Sequence, residues 1–117
     1  IGTGGMIKDV LEIADQLKSE DIEARVLDMH TIKPIDEAAV IKAIEETGKI
    51  VTIEDHNIVG GLGSAVAEVI ADYGKTVRFK RCGLHGFSHG YGDYLQVKSN
   101  NSLGKTEIVE RIKELLV

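Results

Sequence analysis

Apolar residues recur at intervals of three and four along four stretches of the chain, the spacing of a helix with one buried face. Helices are predicted over residues 5–19 and 37–46, from the glycines near 60 to Gly74, and at the end of the sequence. Three of these stripes consist of Met6, Val10, Ile13, Ala14 and Leu17; of Leu62, Ala65, Val66, Val69, Ile70 and Tyr73; and of Ile108, Val109, Ile112, Leu115 and Leu116. Each stripe is expected to face a sheet.

Polar and glycine residues mark the expected ends of these helices. Asp36, which follows the chain break at Lys33-Pro34, is a natural N-cap for the second helix, and Gly48 is its expected stop. Gly74 stops the third helix, and Thr106 is the expected cap of the last one.

Three shorter segments have strand character. Residues 24–29 are apolar-rich and of strand length, and Ile50–Ile53 is a β-branched run of the kind buried on both faces of a parallel sheet. Residues 77–80 alternate apolar and basic, which suits a strand near an edge. Because strands alternate with helices, we predict an α/β fold, a three-layer αβα sandwich. Its sheet is mostly parallel and has about five strands, with an edge strand that can be antiparallel.

The stretch from Cys82 to Gly104 is too long for an ordinary loop. We expect it to contain a short helix near residues 94–98 or to serve a function.

Composition limits the class of protein. The 117 residues are 43% hydrophobic, which fits one domain over residues 1–117. Fourteen basic against nineteen acidic residues give a net charge of −5, so nucleic acid is not an expected partner. One cysteine and no apolar run near the roughly 20 residues of a membrane span favour a soluble, cytoplasmic protein without a membrane partner. The start, Ile followed by glycines, reads as a strand that was cut, so we expect a piece of a longer chain.

The first candidate site is the glycine-rich start, Gly2–Gly5, which enters a helix and has Asp28 at the end of the next strand. This arrangement mimics a dinucleotide-binding fold, so a free-standing module that binds a nucleotide or a small anion is an alternative function. Ile7 stands where the third glycine of that motif belongs, so the simpler interpretation is a tight turn.

The second candidate is the run Glu54-Asp55-His56 with the glycine-rich turn after it. An acid beside an imidazole can transfer protons, and a glycine-rich helix start can hold an anion. Neighbouring side chains of a strand point to opposite sides, so Asp55 and His56 need not touch, and a structural role is the alternative. The residues predicted for an anion or an effector are His56, Gly60, Gly61, Gly63 and Ser64.

The third candidate is the spacing of Cys82, His85 and His89, residue types that bind zinc. A structural zinc site needs a fourth ligand from elsewhere, for instance His56. We therefore favour a surface or subunit-interface loop, and no metal site is predicted.

Four motifs in order resemble the C-terminal domain of transketolases. They are Ile1–Gly5, Arg25–Asp36, Val51–His56 and Gly60–Ser64, and the most specific piece is Thr31-Ile32-Lys33-Pro34-Ile35-Asp36. Deoxyxylulose-phosphate synthase and the β subunit of 2-oxoacid dehydrogenases share this domain and remain alternatives. The segment from Phe87 to Leu103 departs most from the usual pattern.

The resemblance implies an accessory role in a thiamine-diphosphate-dependent transferase that moves a two-carbon ketol unit between sugar phosphates. Thiamine diphosphate and Mg²⁺ lie between a pyrophosphate and a pyrimidine domain, which are the implied partners and are not in this sequence. No residue inherits a catalytic or cofactor-binding role, so the isolated domain is expected to be inactive. Asn100-Asn101 lacks the Gly-Asp-Gly of the metal-diphosphate motif and is expected to form a turn. The implied role is structural, dimer-forming or regulatory, with weak self-association of the domain alone.

Overall fold

The computed structural model describes residues 1–88 and 90–117. Helices and strands follow one another along the described residues, with two strands set between the helices. They are a short 3₁₀ turn at Gly4–Met6, α1 at Ile7–Lys18, α2 at Glu37–Thr47, β1 at Lys49–Asn57, α3 at Leu62–Tyr73, β2 at Arg78–Leu84, α4 at Tyr94–Asn100 and α5 at Lys105–Leu116. All four long helices and the short helix near residue 94 are thereby confirmed.

The helix ends follow local chemistry. Asp36 caps α2, since its Oδ1 accepts a hydrogen bond from Ala39 N at 2.9 Å. Gly48 and Gly74 end α2 and α3 in the left-handed region, at φ of 63° and 73°. The predicted cap at Thr106 is wrong. Gly104 is the extended residue before α5 and its carbonyl accepts from Ile108 N, which places Thr106 inside the first turn.

The sheet is parallel. β1 pairs with β2 in the register Lys49–Arg78 through Ile53–Cys82. On the other side of β1, Gly2 forms parallel bridges to both Ile53 and Asp28. The observed order is therefore residues 27–29, residues 1–3, β1, β2.

The sheet has fewer strands than the five expected. Two regular strands are formed by the described residues, and the predicted strand over 24–29 touches its neighbour at a single bridge. Its earlier part borders a cavity instead of another strand. Outside residue 89, the one antiparallel pairing is the bridge between Ile32 and Ile35, which lies in the turn around Pro34.

Helices cover both faces of this sheet, as a three-layer sandwich requires. One core joins α1 and α5 to the sheet and contains Met6, Val10, Ile13, Leu17, Ile53, Cys82, Leu103, Ile108 and Val109. The other joins α2 and α3 to it and contains Met29, Val40, Ala43, Ile44, Ile50, Leu62, Val66 and Val69. Across the part of the chain that is described, no helix has the length and apolar character needed to cross a membrane.

Candidate functional site

The carboxyl ends of the parallel segments meet at one edge of the sheet, the edge where open α/β proteins usually bind ligands. There Glu54, Asp55 and His56 lie near the end of β1, and this end is joined to that of β2 because Ile58 N donates to Leu84 O at 3.0 Å. We call this region the strand-end site.

Glu54 lies fully buried at the start of α3. Its Oε2 accepts from Leu62 N at 2.8 Å and its Oε1 accepts from Gly63 N at 2.9 Å. A carboxylate is well suited to this place, because the first amides of a helix have no partner within the helix and the helix dipole is positive there. The positive end of α3 is thus neutralised by the chain's own side chain.

The glycines of this turn allow the side chains of Glu54 and Arg81 to lie close to the backbone at the start of α3. A Cβ on Gly61 would lie 2.1 Å from Glu54 Oε2, and one on Gly63 would lie 2.7 Å from the Arg81 Cδ. Gly60 adopts a φ of +80°, which favours glycine, and its amide donates to Ser64 Oγ at 2.9 Å.

The residues predicted for an anion are therefore brought together around α3, where the amides of Gly60 and Gly63 bind Ser64 and Glu54. His56 stands beside this turn with an exposed side chain. Binding of an external anion or effector here stays a prediction, and in this conformation it would need donors other than those two amides.

Asp55 links the strand end to α4. Its Oδ2 accepts from the Tyr94 hydroxyl at 2.6 Å, and its Oδ1 lies 3.0 Å from His56 Nδ1 without hydrogen-bond geometry. Asp55 and His56 are thus neighbours in space as well as in sequence. Burial and the Asp55 carboxylate raise the pKa of Tyr94 to about 12, so the phenol stays protonated at physiological pH and acts as a donor.

A buried ion pair continues this network. Lys98 of α4 pairs with Asp9 of α1, and their side chains are only 7% and 13% exposed. The Lys98 ammonium also lies 4.5 Å from the centre of the Tyr94 ring. Sequence reasoning missed this pair, since its members stand 89 positions apart and no local spacing links them.

The glycine-rich start forms the expected tight turn. Gly4 has a φ of +57°, and the buried Thr3 donates from Oγ1 to Met29 O at 2.9 Å. Gly5 lies against the network, since a Cβ there would be 3.3 Å from the Tyr94 hydroxyl. This turn therefore packs the start of α1 against the strand-end site.

Among the described residues, Cys82 and His85 of the cysteine and histidine spacing lie in different environments. The Cys82 side chain is fully buried in the core beside α1 and α5, and burial raises the pKa of its thiol. His85 follows β2 on the exposed surface, and His89 lies outside the described residues. Over residues 1–88 and 90–117, no group of three acidic, histidine or cysteine side chains has metal-binding geometry. Asn100 is the last residue of α4 and Asn101 begins the turn after it, so the turn expected for Asn100-Asn101 is confirmed for Asn101 and wrong for Asn100.

Comparison with known proteins gives one family. Residues 1–96 match the sequence profile described as transketolase, C-terminal domain. A protein of Methanocaldococcus jannaschii, named putative transketolase C-terminal section, is 38% identical over 97% of this chain and 35% of its own length. The 1-deoxy-D-xylulose-5-phosphate synthase of Crocosphaera subtropica is 33% identical over 98% of this chain and 18% of that enzyme.

The fold agrees with a solved structure of this kind. A chain described as split gene transketolase, inactive beta4 tetramer, superposes with a TM-score of 0.85 at 32% identity, over 98% of this chain and 37% of its own. This chain thus spans well under half of the length of these proteins. It is a member of the transketolase C-terminal domain family.

Proposed function

We propose that this domain is the C-terminal accessory part of a thiamine-diphosphate-dependent transketolase, which transfers a two-carbon ketol unit between sugar phosphates. The observation that carries the proposal is the agreement of nearly the whole chain with a split transketolase, in sequence and in fold. Within the family, deoxyxylulose-phosphate synthase and the β subunit of 2-oxoacid dehydrogenases are the alternatives.

The described residues do not fit thiamine diphosphate and its metal. The glycine-rich helix start that could bind a diphosphate has two amides taken by Glu54. In the strand-end site, both carboxylate oxygens of Glu54 bind α3, and Asp55 Oδ2 accepts from Tyr94. We therefore assign no catalytic step to this domain and place the reaction on other parts of the enzyme.

The domain's contribution is a docking surface at the strand-end site. Four apolar side chains on the loops that follow β1 and β2 and at the start of α4 are more than two-thirds exposed: Val59, Phe87, Tyr91 and Leu95. We call them the strand-end patch. Asn57 Nδ2 donates to Gly86 O at 3.4 Å and so joins the two loops that hold Val59 and Phe87. An apolar patch of this kind is typical of a protein interface, and we assign it to the pyrimidine domain or to a second subunit.

The first test supplies the missing parts as a separate polypeptide. Calorimetric titration of the chain alone with thiamine diphosphate and Mg²⁺ is expected to release no binding heat. Ketol transfer is expected only after a polypeptide carrying the pyrophosphate and pyrimidine domains is added. Ketol transfer or tight coenzyme binding by the chain alone would refute the accessory role.

The second test concerns the patch. Replacing Phe87 and Tyr91 together by serine is expected to weaken self-association about tenfold or more, because exposed aromatic anchors carry much of an interface's binding energy. Sedimentation measures this as a shift toward monomer. The matched control is Leu11→Ser, which removes a half-exposed leucine from α1 and should leave the association unchanged. A strict monomer at high concentration before any substitution, or an equal effect of the control, would contradict the assignment of the patch to a second subunit.

A further inference from the structure

The strand-end patch consists of two pairs of side chains that different parts of the fold carry. Val59 and Phe87 lie on the loops that follow β1 and β2, and a hydrogen bond joins these two loops. Tyr91 and Leu95 lie just before α4 and within it. The position of the second pair relative to the first therefore depends on what holds α4 to the sheet.

The loop before α4 packs on that helix. A Cβ on Gly90 would lie 2.5 Å from the Nδ2 of Asn100, at the far end of α4. Asp93 caps the helix by accepting from Gln96 N at 2.9 Å, and Gln96 Oε1 accepts from Asp93 N at 3.2 Å. Residues 90–100 thus form one structural unit, the α4 unit, which carries the second pair of patch side chains.

Burial of apolar side chains contributes little to the hold of α4 on the sheet. Tyr94 and Leu95 are 52% and 69% exposed, and Val97 is half-buried. The buried side chain of this helix is the charged Lys98. Because a helix of seven residues has little stability without tertiary contacts, its polar contacts decide where it lies.

Two polar contacts tie the α4 unit to rigid elements. The Tyr94 hydroxyl donates to Asp55 near the end of β1, and Lys98 pairs with Asp9 in the first turn of α1. We call these two contacts the α4 anchor. Tyr94 and Lys98 are four positions apart and so share one face of the helix, whereas Leu95 stands on another face and is exposed. The anchor therefore fixes the helix without using the patch side chains.

We propose that the α4 anchor positions the α4 half of the strand-end patch for its partner, so that Tyr94 and Lys98 are positioning residues of this interface. The inference rests on the proposed docking role of the patch. A partner that contacts both halves binds fully only while the anchor is made. Association and the anchored state therefore stabilise each other.

The partner that we assign is a second copy of this chain. The four patch side chains are uncharged, so two copies, each of net charge −5, bring no like charges together through them. The strength of self-association is therefore the quantity that the anchor should control.

The test removes both anchor contacts and leaves the patch intact. The variant Asp9→Asn, Tyr94→Phe, Lys98→Met leaves neither charge of the buried pair alone, which protects the fold. Sedimentation is expected to show self-association weakened about fivefold, the loss expected if the α4 unit is in position about one-fifth of the time. The matched control Glu12→Gln, Lys105→Met removes an exposed ion pair between α1 and α5 and should leave association unchanged.

A second comparison separates positioning from a general structural role. Tyr91→Ser with Leu95→Ser removes the α4 half of the patch, so adding Tyr94→Phe to that variant should cause no further loss of association. In the unmodified chain, hydrogen exchange at the Val97 amide, which donates to Asp93 O, should slow as concentration and association rise. If the threefold variant does not fold, Tyr94→Phe alone carries the sedimentation measurement.

The outcomes distinguish this inference from the proposed function. Unchanged association of the anchor variants, while Phe87→Ser with Tyr91→Ser weakens it, would overturn the positioning role and leave the docking role in place. A further loss on adding Tyr94→Phe to the variant without the α4 half would also overturn it. Val97 exchange that does not change with association would do the same. No effect of the patch substitutions themselves would refute the docking role and this inference together.

Discussion

Replacing Glu54 by alanine is expected to lower the free energy of unfolding by about 4 kcal/mol. The substitution removes two hydrogen bonds to a charged group, each of roughly 1.5–3 kcal/mol, and leaves the buried amides of Leu62 and Gly63 without a partner. It also removes the negative charge that opposes the dipole of α3. Urea denaturation monitored by circular dichroism measures the difference.

Two further variants separate the role of the carboxylate from a general sensitivity of this helix. Glu54→Gln keeps one acceptor oxygen and is expected to lose about half as much stability. Glu68→Ala, at an exposed position on α3, should change the free energy of unfolding by less than about 0.5 kcal/mol. If Glu54→Ala lowers the free energy of unfolding no more than Glu68→Ala does, the assignment of Glu54 as the internal partner of α3 is wrong.

Replacing Lys98 by methionine is expected to cost about 3 kcal/mol of stability, because the carboxylate of Asp9 then stays buried with no cation beside it. The double variant Asp9→Asn, Lys98→Met should recover most of that loss, since neither charge is left alone. Denaturation of the two single variants and the double variant gives the coupling energy directly.

An exposed ion pair between the first and last long helices serves as the control. Lys105 pairs with Glu12, and these side chains are 47% and 42% exposed. Lys105→Met should therefore cost less than about 1 kcal/mol. A loss for Lys98→Met no larger than that of Lys105→Met would show that the buried pair does not hold α4 in place.

The helices could be predicted because their information is local. The stripe of Met6, Val10, Ile13 and Leu17 is buried as the period requires, and the stops at Gly48 and Gly74 depend on conformations that glycine adopts readily. The cap of α5 was misplaced because Thr106 has the better capping side chain, whereas the backbone turn at Gly104 decides where the helix begins.

The strand-end site could be located but not assembled from the sequence. The run Glu54-Asp55-His56 and the glycines after it indicated where the site lies in the chain, because polar residues there follow a buried strand. The partners of those side chains could not be predicted: Tyr94 lies 39 positions from Asp55, and α3 offers several amides to Glu54. Only the packing of α4 and α3 on the sheet selects them.

The internal carboxylate at the start of α3 has a consequence for assembly. Because Glu54 already balances the partial positive charge of that helix, a neighbour that covers this end need bring no counterion and strip no water from free amides. Apolar side chains of the neighbour are sufficient to make this contact. The affinity of this contact should then change little with salt concentration.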